Sequence, residues 1–166
     1  GLGDVYKRQV QNARDTSSEA RIKVELNDTN IIFSHHGKPF DYTSFRALVK
    51  QDSSKDRNGA DQVGQYGTGF MTTHAFNRLV YVSGLFVVKT GEETIKGYVQ
   101  VKDFELDRTL VDTAEGPKKM KEQLEKVKQL WKGELLQEIN DDATSFRYDL
   151  TPSQVRNVSD QLSSAI

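Results

Sequence analysis

A chain of 166 residues with 36% hydrophobic and 28% charged residues is long enough to bury one ordinary core and too short for two domains. Its 23 Lys+Arg nearly cancel its 24 Asp+Glu, so it lacks the whole-chain basic field that non-specific binding to nucleic acid or membranes requires. It has no cysteine, which excludes a disulfide framework, a thiolate zinc site and a catalytic thiol; no apolar run approaches the roughly 18 residues of a membrane span, and a cytoplasmic protein is expected.

Asp4, Val5, Tyr6, Lys7, Arg8 and Gln9 are what the codons GAT GTG TAT AAG AGA CAG specify, a string that resembles the mosaic-end adaptor of transposase-based sequencing libraries. Residues 1–9 are accordingly expected to be a non-native scar, set apart from the fold. Residues 10–19 are polar and helix-compatible. Residues 21–26 alternate apolar Ile22, Val24 and Leu26 with charged neighbours, the period-two signature of a half-buried strand. A polar turn at 27–30 leads into the apolar run 31–34, which completes a hairpin. Residues 35–40, His-His-Gly-Lys-Pro-Phe, then read as a loop.

Phe45, Leu48 and Val49 fall at helical spacing within 41–49, whereas 50–63 is polar, without apolar period, and of a length usually reserved for functional lids or linkers. Gly64, Gly67 and Gly69 follow in a glycine-rich loop that opens a helix over Phe70, Thr73 and Phe76. Residues 79–88 and 96–106 are strand-forming around a turn at 90–93, a second hairpin. Met120, Leu124, Val127, Trp131, Leu135 and Ile139 line one face of an amphipathic helix expected over 114–139, with Gly133 a point of interruption. Phe146, Tyr148 and Leu150 alternate along a final strand over 144–150, and 151–166 begins another helix or a linker. The sum is an α+β two-layer sandwich, a mixed sheet covered on one face by helices.

Three segments carry chemistry. Consecutive backbone N–H groups in the loop from Gly64 to Gly69, leading into a helix N-terminus, present donors and a positive dipole end to phosphate oxygens. Asn12 and Asp15, three residues apart on a helix, share a face, and an amide oxygen there can complete the octahedral shell of a magnesium ion that also holds phosphates. Taken singly, each segment is as readily ordinary loop or solvated helix. His35, His36 and His74 have no carboxylate cluster at ligand spacing and make no metal site by themselves.

Together, in this order and with a polar lid before the glycines, these segments resemble the ATP-binding domain of the GHKL class, the gyrase, heat-shock chaperone, histidine kinase and MutL superfamily. Asn12, Ala13, Arg14 and Asp15 look like its N box; residues 35–40 stand where its first glycine box belongs, 64–70 match its second, and 143–148 resemble the strand that carries a threonine near the adenine. The resemblance covers residues 10 to about 150 and implies the Bergerat-type fold, with ATP or ADP and Mg2+ as ligands. It implies that Asn12 coordinates magnesium, that Gly64, Gly67 and Gly69 hold phosphates with Thr68 and Phe70 in the same box, and that Asp15 orders the pocket floor. Thr144 and Gly37 would line the adenine pocket beside His35 and Lys38, and the lid at 50–63 would gate turnover and homodimerisation.

Two departures from the family's pattern bear on function. His35 replaces the Asp that accepts from the adenine amino group, and Pro39 replaces the second glycine. A neutral imidazole can accept that hydrogen bond and a protonated one cannot, so adenine affinity is expected to fall below pH of roughly 6.5. Arg8, inside the suspected scar, stands where hydrolysing branches carry a general-base Glu, so this chain is expected to bind nucleotide better than it hydrolyses it. A nucleotide sensor or interaction module that does not hydrolyse is the alternative to an ATPase.

Overall fold

The two alternating segments at the start form an antiparallel hairpin in a computed structural model of the chain, which describes residues 22–50, 77–139 and 143–165. Strand β1 (Ile22–Leu26) pairs with β2 (Asn30–His35), and the turn between them closes with Asn27 N–H donating to the Asn30 carbonyl at 2.8 Å. Helix α1 (Tyr42–Lys50) starts at a reciprocal cap: Ser44 N–H donates to Asp41 Oδ1 at 2.8 Å, and Asp41 N–H donates to Ser44 Oγ at 2.9 Å. Two of the N–H groups that a helix start leaves unpaired are thereby satisfied. Burial pushes the Asp41 carboxyl up, but hydrogen bonds from Ser44 and from the Lys89 ammonium outweigh it and hold the group below the usual carboxylate range.

Strands β3 (Leu79–Lys89) and β4 (Ile95–Asp107) form the second hairpin, turning through Gly91 at φ 88°, a left-handed angle that glycine adopts without strain. Their register slips twice, between Val88 and Lys89 near the turn and earlier in β3, where Val82 pairs with Phe104 but Gly84 with Val101, so Ser83 faces both Lys102 and Asp103. Asp103 takes φ 51° in this bulge, its N–H donating to Ser83 Oγ at 2.9 Å. The extra residue keeps both Val101 and Phe104 on the buried face.

Helix α2 (Gly116–Leu130) is shorter than the 114–139 expected from periodicity. It ends before Gly133, after which Leu136 pairs with Tyr98 through two backbone hydrogen bonds of 2.7 and 2.9 Å at the free edge of β4. Leu135 is thus apolar because it packs on the core from an extended segment, and Ile139 is exposed. Strand β5 (Thr144–Asp149) and helix α3 (Pro152–Ala165) complete the described chain, α3 opening with a capping box in which Gln154 N–H donates to Thr151 Oγ1 and Thr151 N–H to Gln154 Oε1.

The sheet order is β1-β2-β5-β3-β4, and every strand pairing is antiparallel, which corrects the expected mixed sheet. β2 and β3 do run parallel to each other, but β5 lies between them and opposes both. Among the described residues, parallel pairing is confined to an isolated bridge between Asp41 and Val87. The fold is α+β, and among the described residues three helices contribute to one core against the sheet: Phe45, Leu48 and Val49 from α1, Val127 from α2 and Val158 from α3. Phe45, fully buried, sits 4.8 to 6.0 Å in ring separation from Phe40, Phe86, Phe104 and Trp131. Burial of one such ring is worth about 1.5–3 kcal/mol. The opposite face is polar: the Arg147 guanidinium lies 4.3 Å over the Tyr81 ring and pairs with Asp103 and Asp149, each at 3.2 Å.

Candidate functional site at the seam of β2 and β5

Alternation along β2 turns Ile31, Phe33 and His35 onto the helix-covered face, and along β5 it turns Thr144, Phe146 and Tyr148 the same way. The antiparallel register sets His35 directly opposite Thr144. Each is 3% exposed, and with Gln123 and Arg108 they make up the buried polar side chains among the described residues. Next to them on β3 is Gly84, where a Cβ would meet Thr144 Oγ1 at 3.2 Å and Thr144 Cα at 3.3 Å. The missing side chain lets the Thr144 backbone and hydroxyl approach β3 closely.

His35 ends its strand, and the loop folds back so that Gly37 N–H donates to His35 Nδ1 at 3.1 Å. A backbone N–H can be accepted only by an unprotonated ring nitrogen, so the neutral imidazole carries its proton on Nε2. Nε2 is buried and has no hydrogen-bond partner among the described residues. Burial, and secondarily the neighbouring His36, push the His35 pKa down to about 4. Both findings correct what the sequence led one to expect. The loss of neutral imidazole moves from roughly pH 6.5 to near 4, and the nitrogen left without a partner among the described residues is a donor rather than an acceptor.

The other residues of the first glycine box have separate roles. His36 and Lys38 are exposed and Gly37 is half-buried. Phe40 is a core residue, 1% exposed, whose carbonyl accepts from Val87 N–H at 2.8 Å and whose ring meets Phe86 edge-on at 5.3 Å. The loop is thus pinned to β3 at its far end, which holds Gly37 within reach of His35. Asn12 and Asp15 of the N box, Gly64, Gly67, Thr68, Gly69 and Phe70 of the second glycine box, Arg8, His74 and lid residues 51–63 lie outside the described residues. So the structure brings His35 and Thr144 together, and the ligand roles expected of all these residues rest on sequence.

Gly84 is absent from the set of residues that the sequence singles out. Its signal is a lone glycine inside the apolar run of β3, which marks a close backbone approach. A groove of about 1280 Å³ lies elsewhere, between α2 and the edge strand β4, walled by Val99, Phe104 and Leu130 beneath a rim of Lys and Glu. Among the described residues, no three or more His, Asp or Glu converge as metal ligands, and no helix is long and apolar enough to cross a membrane.

Comparison with protein-family models, with curated proteins and with solved structures finds no match for this chain.

Proposed function

We propose that this chain is the nucleotide-binding domain of a GHKL-type ATPase, with a Bergerat-type fold that holds a purine nucleotide and Mg2+ and couples their presence to a lid. The observation that carries this reading is the meeting of His35 and Thr144. The two residues were assigned to the base end of a pocket from segments more than a hundred residues apart in sequence, and they are register partners, both buried on the face the helices cover. A buried imidazole with an unpartnered nitrogen beside a buried threonine is a set of polar groups that suits a purine edge.

In this reading His35, Thr144 and Gly37 hold and orient the base. Asn12 would hold magnesium, Gly64, Gly67 and Gly69 the phosphates, and Asp15 the pocket floor. The bound metal supplies charge neutralisation at the phosphates. The chain's own contribution is to desolvate the base and fix its orientation. Arg8 in place of a general-base Glu makes binding, not hydrolysis, the activity assigned to this chain, and lid closure and homodimerisation belong to the intact protein.

A calorimetric titration of the full chain with Mg-ADP, alongside Asn12→Ala and Gly67→Val, tests the proposal. Saturable binding that both variants lose is the expected result, and a hundredfold excess over the dissociation constant should add about 2.7 kcal/mol of stability. Neither heat nor stabilisation at millimolar nucleotide, in a folded sample, would reject it.

A further inference from the structure

The nucleotide reading leaves open which purine the seam accepts, and the chemistry of His35 bears on it. An acceptor at this place, such as the family's carboxylate, selects the exocyclic amino group of adenine. The ring here presents the opposite polarity, because Gly37 N–H occupies Nδ1 at 3.1 Å and the proton is on Nε2. Nε2 is buried, on a residue 97% removed from solvent, and lacks a partner among the described residues. A buried donor left unmade is costly, and such groups in native structures are usually completed by something that binds.

Resting on the nucleotide-binding reading above, we propose that His35 acts as a hydrogen-bond donor to the base, so that the seam prefers a 6-oxopurine nucleotide, of the inosine or guanosine class, to an adenine nucleotide. A 6-oxopurine puts a carbonyl oxygen where adenine puts an amino group. Opposite Nε2–H, the carbonyl completes the orphaned donor, whereas the amino group sets one donor against another. Thr144, the register partner of His35, can follow either base, since a hydroxyl both donates and accepts. Gly84, lacking a side chain, lets Thr144 sit close against β3. His35 therefore determines specificity by its tautomer, and that tautomer is set by one backbone N–H from the loop after β2.

Parallel titrations of the full chain with Mg-IDP and Mg-ADP test this directly, because the two bases differ only at the 6-position and the adjacent ring nitrogen. The expected result is about tenfold tighter binding of Mg-IDP, the worth of one buried hydrogen bond made against one left unmade. Equal affinity or a preference for Mg-ADP would overturn the proposal and leave the nucleotide reading standing. Failure of both to bind at millimolar concentration would overturn the two together. His35→Asn, whose amide can present an oxygen, should shift the ratio towards ADP and is less disruptive than a buried carboxylate. Independently of any ligand, long-range proton–nitrogen NMR correlations of His35 should show the proton on Nε2; a proton on Nδ1 would also overturn the proposal.

Discussion

The two halves of this sheet solve the same packing problem with opposite chemistry. Over β3 and β4, α1 and α2 bury Phe40, Phe45, Phe86, Phe104 and Trp131 in contact with one another, a layer whose geometry is set by ring shape and apolar area. At the junction of β2 and β5 the same face carries His35 and Thr144, and Nε2 of the histidine is left without a partner among the described residues. Interiors tolerate such groups poorly unless something completes them. The aromatic half is built for stability, and under the proposed function the seam gives some stability up for recognition of a nucleotide.

Substitutions should separate the two halves by what they cost. Phe45→Ala is expected to have the largest effect, a loss of about 3–5 kcal/mol in urea-melt stability, because a fully buried ring touching four others leaves a cavity that its neighbours cannot collapse into. If the cost came out below about 1 kcal/mol, the aromatic layer would not be the stabilising half.

The seam should show itself instead in pH dependence. His35 has its pKa depressed to about 4, so the unfolded chain takes up a proton below about pH 6.5 that the folded chain refuses. Stability is full above that pH and declines as the pH drops towards 4, by at most about 1.4 kcal/mol per unit. Melts between pH 7 and 4.5 on the parent and on His35→Asn should show this slope in the first and a flatter one in the second. Further acidification, through the depressed pKa values of Asp41 and Asp107 below 3.8, should then remove stability from both proteins alike. Nucleotide affinity should stay level from pH 8 to 5.5, since the neutral ring persists throughout.

Gly84→Ala is a smaller structural change with a pointed functional readout. The new methyl, at 3.1 Å from Phe86 Cε1 and 3.2 Å from Thr144 Oγ1, needs its neighbours to yield by a few tenths of an ångström. About 1 kcal/mol of stability should be lost, while nucleotide affinity falls by more than the stability change accounts for; equal loss in both would demote Gly84 to a packing residue. Asp41→Ala removes the side chain that caps α1 and should cost about 1 kcal/mol without altering the seam. Smallest of all, Arg147→Ala on the helix-free face should change stability by about 0.5 kcal/mol or less, its ion pairs being half exposed.

Much of the local structure was legible because local physics decides it. Alternation marked both hairpins, Asp41 to Val49 carried the spacing of α1, and the sequence Thr151-Pro152-Ser153-Gln154 holds a capping box that favours helix over linker for the residues that follow. Periodicity overshot the end of α2 because Leu135 is apolar for a tertiary reason, its packing beside Gly97 and on the core from an extended segment. The sheet order was not legible, since nothing within β5 states that it inserts between β2 and β3. For the same reason the sequence could nominate His35 and Thr144 separately but not show that they are partners. Nor could it reveal the tautomer, which depends on where the N–H of Gly37 points once the loop has closed.

Because β5 fills the gap between β2 and β3, its arrival is a timed event during synthesis. The first two strands and the β3–β4 hairpin precede β5 in the chain, so a lane between them stays vacant until β5 emerges. Antiparallel partners so distant in sequence close slowly, since a long loop must be ordered before any contact rewards it. Until β5 slots in, two open strand edges face each other, a stage at which a chaperone or a premature pairing with another nascent chain would compete. The seam of His35 and Thr144 therefore comes into being only with the step that also seals the sheet, so under the proposed function capture of a nucleotide would certify that these strands have paired.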